Sequence, residues 1–170
     1  GSIHLASLNE TQEELWQGIQ QQLYQGFKLN LIEGVTGSGK TELYCYAITD
    51  ILDKIPESQV LVMLPEIALT SQLVSRLEQR LGGTVTLWHS GLTPKQRRHN
   101  WWKIATNKAK VILGARSSIM LPFHSLKLII VDEEHDLSYK QEEGVHYHGR
   151  DSAIMRAKFA DIPIILGSAT

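Results

Sequence analysis

"LNLIEGVTGSGKTELYCYAI", residues 29–48, decides the fold. It opens on a short apolar run, LNLI, that reads as a strand ending near glycine. It closes on a helix in which Leu43, Ala47 and Ile51 recur on one face. Between them Gly34–Thr41 spells G-x-x-x-x-G-K-T. Strand, glycine loop and helix in that order form a phosphate loop, because glycines let backbone N–H groups turn toward an anion at a helix N-terminus. Lys40 is expected to reach the β and γ phosphates, and the Thr41 hydroxyl to ligate magnesium. The residues expected to hold the nucleotide are Gly34, Thr36, Gly37, Ser38, Gly39, Lys40, Thr41 and Glu42. A chance glycine turn is the alternative, and the flanking strand and helix argue against it.

Working outward, strand and helix patterns alternate. LNETQEELWQGIQQQL puts Leu15, Ile19 and Leu23 on one helical face, with Asn9 as cap. QVLVMLP is too apolar for a strand with an exposed face. EIALTSQLVSRLEQRL returns to helical spacing through Leu73, Val74, Leu77 and Leu81. TVTLWH reads as a strand, and TPKQRRHNWWKIATN as a helix capped by Thr93 with Pro94 first. KVILG, LKLIIVD and IPIILG are three more buried strands. The fold class is therefore α/β, a mostly parallel sheet with helices on both faces. In KQRRHNWWK one indole is expected to pack on the sheet while the charges stay in water; a DNA-binding reading of the same basic, aromatic segment is the alternative. Cys45 reads as a small buried helix residue.

A second acid-rich site follows the strand LKLIIVD. Asp132 ends it, at the C-terminal edge where ligands sit in open α/β sheets. Asp132 is expected to hold magnesium from the side opposite Thr41, and Glu133 to orient and deprotonate a water. An acidic surface loop is the bland alternative.

The 170 residues carry 42% apolar and 21% charged residues, ordinary values for one globular domain. Apolar runs fall short of a membrane span. Formal net charge is -1, so any nucleic-acid surface must be a local patch. One cysteine excludes an internal disulfide and a cysteine-based zinc site, and points to a reducing, cytoplasmic setting. Gly1-Ser2 reads as a cloning remnant, and residues 3–170 as one domain. Because the chain stops just after the apolar run IPIILG, it is expected to be part of a longer protein.

DEEH after a buried strand resembles motif II of the DExH branch of superfamily 2 helicases. LPEIALT (Leu64–Thr70), HSGL (His89–Leu92), GARSSI (Gly114–Ile119) and GSAT (Gly167–Thr170) fall in that family's order. With GVTGSGKTELY, IIVDEEHDLSYKQ and YHGRD, they resemble the replication-restart helicases over nearly the whole chain, and imply the first of two RecA-like motor lobes. The resemblance implies that Gln12 reads adenine, that His135 couples the γ-phosphate region to Ser168 and Thr170, and that IPIILG lies between the strands carrying the phosphate loop and Asp132. It also implies DNA contacts from Thr70, Arg116, Ser117 and Ser118. The segment DLSYKQEEGVHYHGRD matches an aromatic-rich DNA-sensing loop, in which Tyr139, Lys140, Tyr147, His148 and Arg150 would meet the strand. Family members often carry Trp-Arg where this chain has Val145 and His146, which thins that stacking surface.

The expectation is thus an ATP- and Mg²⁺-dependent DNA helicase lobe of a bacterial, nucleoid-associated protein. It would act on single-stranded or forked DNA together with a second RecA-like lobe. Replication-restart proteins and single-stranded-DNA-binding protein are partners implied by the resemblance. The family carries zinc elsewhere in its full-length chain. This chain would be a monomer with no membrane association, and would hydrolyse ATP barely by itself. Two alternatives stay open: a translocase of the same superfamily that does not separate strands, and a P-loop kinase or nucleotide switch.

Overall fold

A computed structural model describes residues 2–133 and 140–168; the side chains of Ser38 and of residues 140–148 lie outside the description. Among the described residues, six strands form one wholly parallel sheet: β1 (Leu29–Ile32), β2 (Gln59–Met63), β3 (Thr86–Trp88), β4 (Val111–Gly114), β5 (Leu126–Asp132) and β6 (Ile164–Gly167). Their order is β1-β6-β5-β2-β4-β3. β6 therefore lies between β1 and β5, as the resemblance implied. The helices are α1 (Glu10–Gln22), α2 (Gly37–Lys54), α3 (Ser71–Leu81), α4 (Pro94–Ala105) and α5 (Lys140–Ala160).

β2, β4, β5 and β6 are buried almost without alternation because both of their faces are covered. On one face Val60, Val62, Leu128, Ile130 and Ile165 meet Ile19 of α1, Leu43, Ala47 and Ile51 of α2, and Leu77 of α3. On the other, Leu61, Met63, Ile129, Val131, Ile164 and Leu166 meet Ile104 of α4 and Ala153 and Ala157 of α5. Each fully buried aliphatic side chain contributes about 1.5–3 kcal/mol, so two such layers dominate the stability. β1 has one described strand neighbour, β6. Its Asn30 and Ile32 face the core, while Leu29 and Leu31 are exposed. Cys45 is fully buried, and burial pushes its thiol pKa up to about 12, with the Glu42 charge adding to the shift.

The sequence expectations need three corrections. EIALTSQLVSRLEQRL is not one helix. Residues Glu66–Ala68 form a 3-10 turn, the chain extends at Thr70, and α3 starts at Ser71 with the Thr70 hydroxyl accepting from the Leu73 N–H at 3.2 Å. A threonine can close a new helix N-terminus, and here that local bond outweighs the apolar period. Second, the segment expected to be an aromatic loop is helical from Lys140 onward. Ala153 and Ala157, one turn apart and fully buried, are small enough to seat α5 closely on the sheet. Third, neither indole of α4 is buried: Trp101 is 49% and Trp102 47% exposed. Ile104 is the residue that fills the core there.

No described helix is long and apolar enough to cross a membrane.

Candidate active site

The phosphate loop leaves β1 through Gly34, whose φ of 74° is a left-handed conformation that glycine adopts without strain. Thr36 caps α2 in an extended conformation, and the helix begins at Gly37. Residues 37–41 form the first turn of α2. That turn presents helix N-terminal N–H groups, which have no intrahelical carbonyl to bond and attract anions. The Thr41 hydroxyl donates to the Gly37 carbonyl at 3.1 Å.

Gln12 is buried and donates to the Gly39 carbonyl at 3.3 Å, while its Oε1 accepts from the Asn9 N–H at 2.8 Å. The capping box of α1 thus fixes the amide against the phosphate loop. A Cβ on Gly39 would come within 2.6 Å of Val35 Cγ1 and 2.9 Å of Gln12 Nε2. The loop closes this tightly only because that residue is glycine.

Lys40 is fully buried. A buried ammonium must be paired, and its Nζ donates to the Ser168 carbonyl at 2.5 Å and lies 4.0 Å from Asp132 Oδ1. Sheet topology assembles this contact. Asp132 ends β5, Gly167 lies opposite it on β6, the Glu133 N–H donates to the Gly167 carbonyl at 2.8 Å, and the Ser168 N–H donates to the Ile32 carbonyl at 3.1 Å. Three strand ends therefore converge on one lysine. Thr41 and Asp132 border a cavity of about 10 Å³ otherwise lined by Tyr44, Val62, Leu64, Leu73 and Leu77; a hydroxyl and a carboxylate are the oxygen types that a hard cation such as Mg²⁺ takes.

Arg150 of α5 faces Glu133, with Nη1 3.7 Å from Oε2. Asp132, Glu133 and Arg150 line a cleft of about 520 Å³ together with Glu66, Arg97, Arg116 and Ser117. The cleft thus joins the two acids to three of the residues expected to meet DNA, Arg116, Ser117 and Arg150. Thr70 is exposed as the cap of α3.

Two expectations are corrected by placement. Glu42 turns away from the phosphate loop: its Oε1 accepts from Arg76 and from Arg80 of α3, both at 3.0 Å. Ser118 is fully buried, and its hydroxyl donates to the Ala115 carbonyl at 2.6 Å. It packs under Gly114 rather than facing a strand, since a Cβ on Gly114 would overlap it. His135, Tyr139 and Thr170 lie outside the described residues, as do the side chains of Ser38, Lys140, Tyr147 and His148.

Sequence reasoning missed three contributors. Tyr44 packs its hydroxyl against Gly167, so that any Cβ there would overlap it. Glu66 Oε1 accepts from the Ser90 N–H at 2.6 Å, and that bond, with a further one from the Ser90 side chain, holds the Glu66 carboxyl below the usual carboxylate range. Arg156 donates from α5 to the carbonyls of Ile119 and Leu121, at 2.5 and 2.9 Å, tying α5 to the turn that carries Arg116. Only the Tyr44 contact had a sequence signal, as one helical turn separates Tyr44 from Lys40.

Residues 9–170 match the family model described as "DEAD/DEAH box helicase". This chain belongs to the DEAD/DEAH box helicase family. Within that family it is 51% identical over 143 residues to the replication restart protein PriA of Rickettsia prowazekii, covering 84% of this chain and 22% of that one. It is 48% identical to PriA of Bacillus subtilis, covering 84% and 18%. The chain thus spans about a fifth of those relatives' length and corresponds to their first helicase lobe. Among solved structures, the helicase MrfA bound to DNA and AMPPNP superposes with a TM-score of 0.68 at 17% identity, over 96% of this chain and 24% of that one. That likeness concerns the fold, and with the parallel sheet it bears out the RecA-like α/β class.

Proposed function

We propose that this chain is the ATP-binding motor lobe of a DNA helicase that acts in replication restart. One observation carries the reading: Lys40 contacts both Asp132 and the Ser168 carbonyl, so the phosphate-loop lysine, the acidic motif and the GSAT motif share one point. That convergence is what a nucleotide-driven motor needs, because a γ-phosphate and metal bound there would be within reach of all three motifs.

In this reading Gln12 recognises adenine, and Gly34, Thr36, Gly37, Ser38 and Gly39 cradle the phosphates. Lys40 pairs with the β and γ phosphates. Thr41 and Asp132 hold Mg²⁺, which when bound offsets phosphate charge. Glu133 accepts the proton of the attacking water. His135, Ser168 and Thr170 couple the γ-phosphate to the rest of the motor. Thr70, Arg116, Ser117, Tyr139, Lys140, Tyr147, His148 and Arg150 meet the phosphates and bases of one strand. MrfA has been solved bound to DNA, and the name of the PriA relatives supports a restart role. A second lobe would supply an arginine, worth about 10³–10⁵ in rate, so this chain alone hydrolyses ATP barely. Bacterial cytoplasm is the setting that fits such a role.

The test is displacement of a labelled strand from a forked duplex by the full-length protein. Displacement that requires ATP and is lost in Lys40→Ala supports the reading. Hydrolysis without displacement would leave a translocase, and transfer of the γ-phosphate to an acceptor other than water would leave a kinase.

A further inference from the structure

We propose that the outer face of α4, at the β3 edge of the sheet, is a docking surface for single-stranded DNA, separate from the cleft beside Glu133. The inner face of α4 is anchored. Ile104 fills the core, Arg97 donates to the His89 carbonyl at 3.3 Å and rests 4.6 Å from the Trp88 ring centroid, and Asn100 donates to the Leu87 carbonyl at 2.9 Å. Lys95, Arg98, His99 and Trp102 follow the spacing i, i+3, i+4, i+7 and so share the opposite face. All four are exposed.

The aromatic part is ordered. His99 and Trp102 stack with centroids 6.3 Å apart and planes 22° apart, and the Lys108 ammonium lies 5.6 Å from the Trp102 centroid. Trp101, the preceding residue of α4, is 49% exposed. Two half-exposed indoles leave apolar surface in water that the fold does not use.

Charge selects the occupant. From Gln79 to Val131 the chain carries no Asp or Glu, while Lys95, Arg98, Lys103 and Lys108 cluster on and just after α4. α4 itself carries no Asp or Glu, so its outer face is basic, while acids border only its ends: the Glu57 carbonyl accepts from Asn107 at 2.9 Å and Glu66 accepts from the Ser90 N–H at 2.6 Å. A polyanion with exposed π-faces matches both features. Cations meet phosphates, and indoles stack on bases whatever the sequence. Duplex DNA keeps its bases stacked inside, which leaves the indoles unused.

The experiment uses the full-length protein and a fluorescein-labelled oligo-dT of roughly 20 nucleotides. The variants are Lys95→Glu/Arg98→Glu, Trp101→Ala/Trp102→Ala and the conservative Trp102→Phe. Charge reversal is expected to weaken binding about tenfold and to flatten the salt dependence by about 0.7 for each phosphate that is no longer neutralised. The double alanine variant is expected to weaken binding roughly fivefold or more, with Trp102→Phe close to wild type. Within this chain Trp16 and Trp88 are buried, so the quench of tryptophan emission by oligo-dT should be smaller in the double alanine variant than in the wild type. Unchanged affinity, salt dependence and quenching in folded variants would overturn the proposal, as a face covered by another part of the protein would give. Loss of binding to anionic vesicles but not to oligo-dT would overturn it as well. The outcome is independent of the motor reading: failure of the wild type to hydrolyse ATP would defeat that reading and leave this test intact.

Discussion

The Lys40 ammonium donates a 2.5 Å hydrogen bond to the carbonyl oxygen of Ser168, 128 residues further along the chain. Phosphate oxygens would compete for the same donor. Nucleotide binding is therefore expected to shift the amide resonances of Gly167 and Ser168 in wild type and to leave them in place in Lys40→Ala. Shifts confined to residues 34–41 would contradict this coupling.

Glu42 joins α2 to α3 through Arg76 and Arg80. Glu42 is buried, whereas the two arginine side chains are about a third exposed, so solvent screens part of the attraction. Glu42→Ala is expected to cost about 1–3 kcal/mol in chemical denaturation. A double-mutant cycle with Arg80→Ala should show coupling. Strict additivity would mean that the pair is not formed in solution.

Gly167 has its place because Tyr44 fills the space above it. Gly167→Ala is expected to destabilise the chain by about 1–3 kcal/mol through overpacking. Tyr44→Phe removes the overlapping oxygen and should restore part of that stability, since the next atom, Tyr44 Cζ, lies 3.0 Å from the added Cβ. Thermal melts of the two single variants and the double variant check both statements. No rescue by the phenylalanine would show that the hydroxyl is not the obstacle.

Glu66 titrates below the ordinary carboxylate range because the Ser90 backbone N–H, and then its side chain, hydrogen-bond the ionised form. The nearby His89 charge acts in the same direction and burial opposes it. A carboxyl whose folded pKa is depressed stabilises the fold above its unfolded pKa, and that contribution is lost as pH falls through the folded pKa. Wild type should therefore exceed Glu66→Gln in stability at neutral pH. The two should converge as pH falls below the ordinary glutamate range and through the lowered pKa of Glu66. A pH-independent gap would contradict the assignment.

Much of the fold was legible in the sequence, because strands covered on both faces read as unbroken apolar runs and the phosphate loop fixes a strand before it and a helix after it. The order of β1, β6 and β5 followed from the family resemblance. What was not legible depended on single local bonds or on packing. Thr70 breaks an apolar period with one hydroxyl. The segment that the family resemblance gave as a loop continues from Lys140 into α5, which Ala153 and Ala157 seat on the sheet. Glu42 sits next to the phosphate loop in sequence but points at α3, and Ser118 turns inward beside an exposed Ser117. Direction of a side chain is not encoded in a motif, so these placements needed coordinates. The rings of α4 were misread for a related reason. Tryptophan is normally buried for its area, and only the depth of Ile104 shows that α4 needs neither indole to hold its place.

The central claim is that Lys40, Asp132 and Glu133 form one DNA-responsive hydrolytic site. The most direct measurement is the ATPase rate of the full-length protein with and without forked DNA, comparing wild type with Lys40→Ala and Glu133→Gln. DNA-stimulated hydrolysis in wild type is predicted to fall about 10²-fold or more in Glu133→Gln, as expected for removal of a general base, and to vanish in Lys40→Ala. Full activity in either variant would contradict the account.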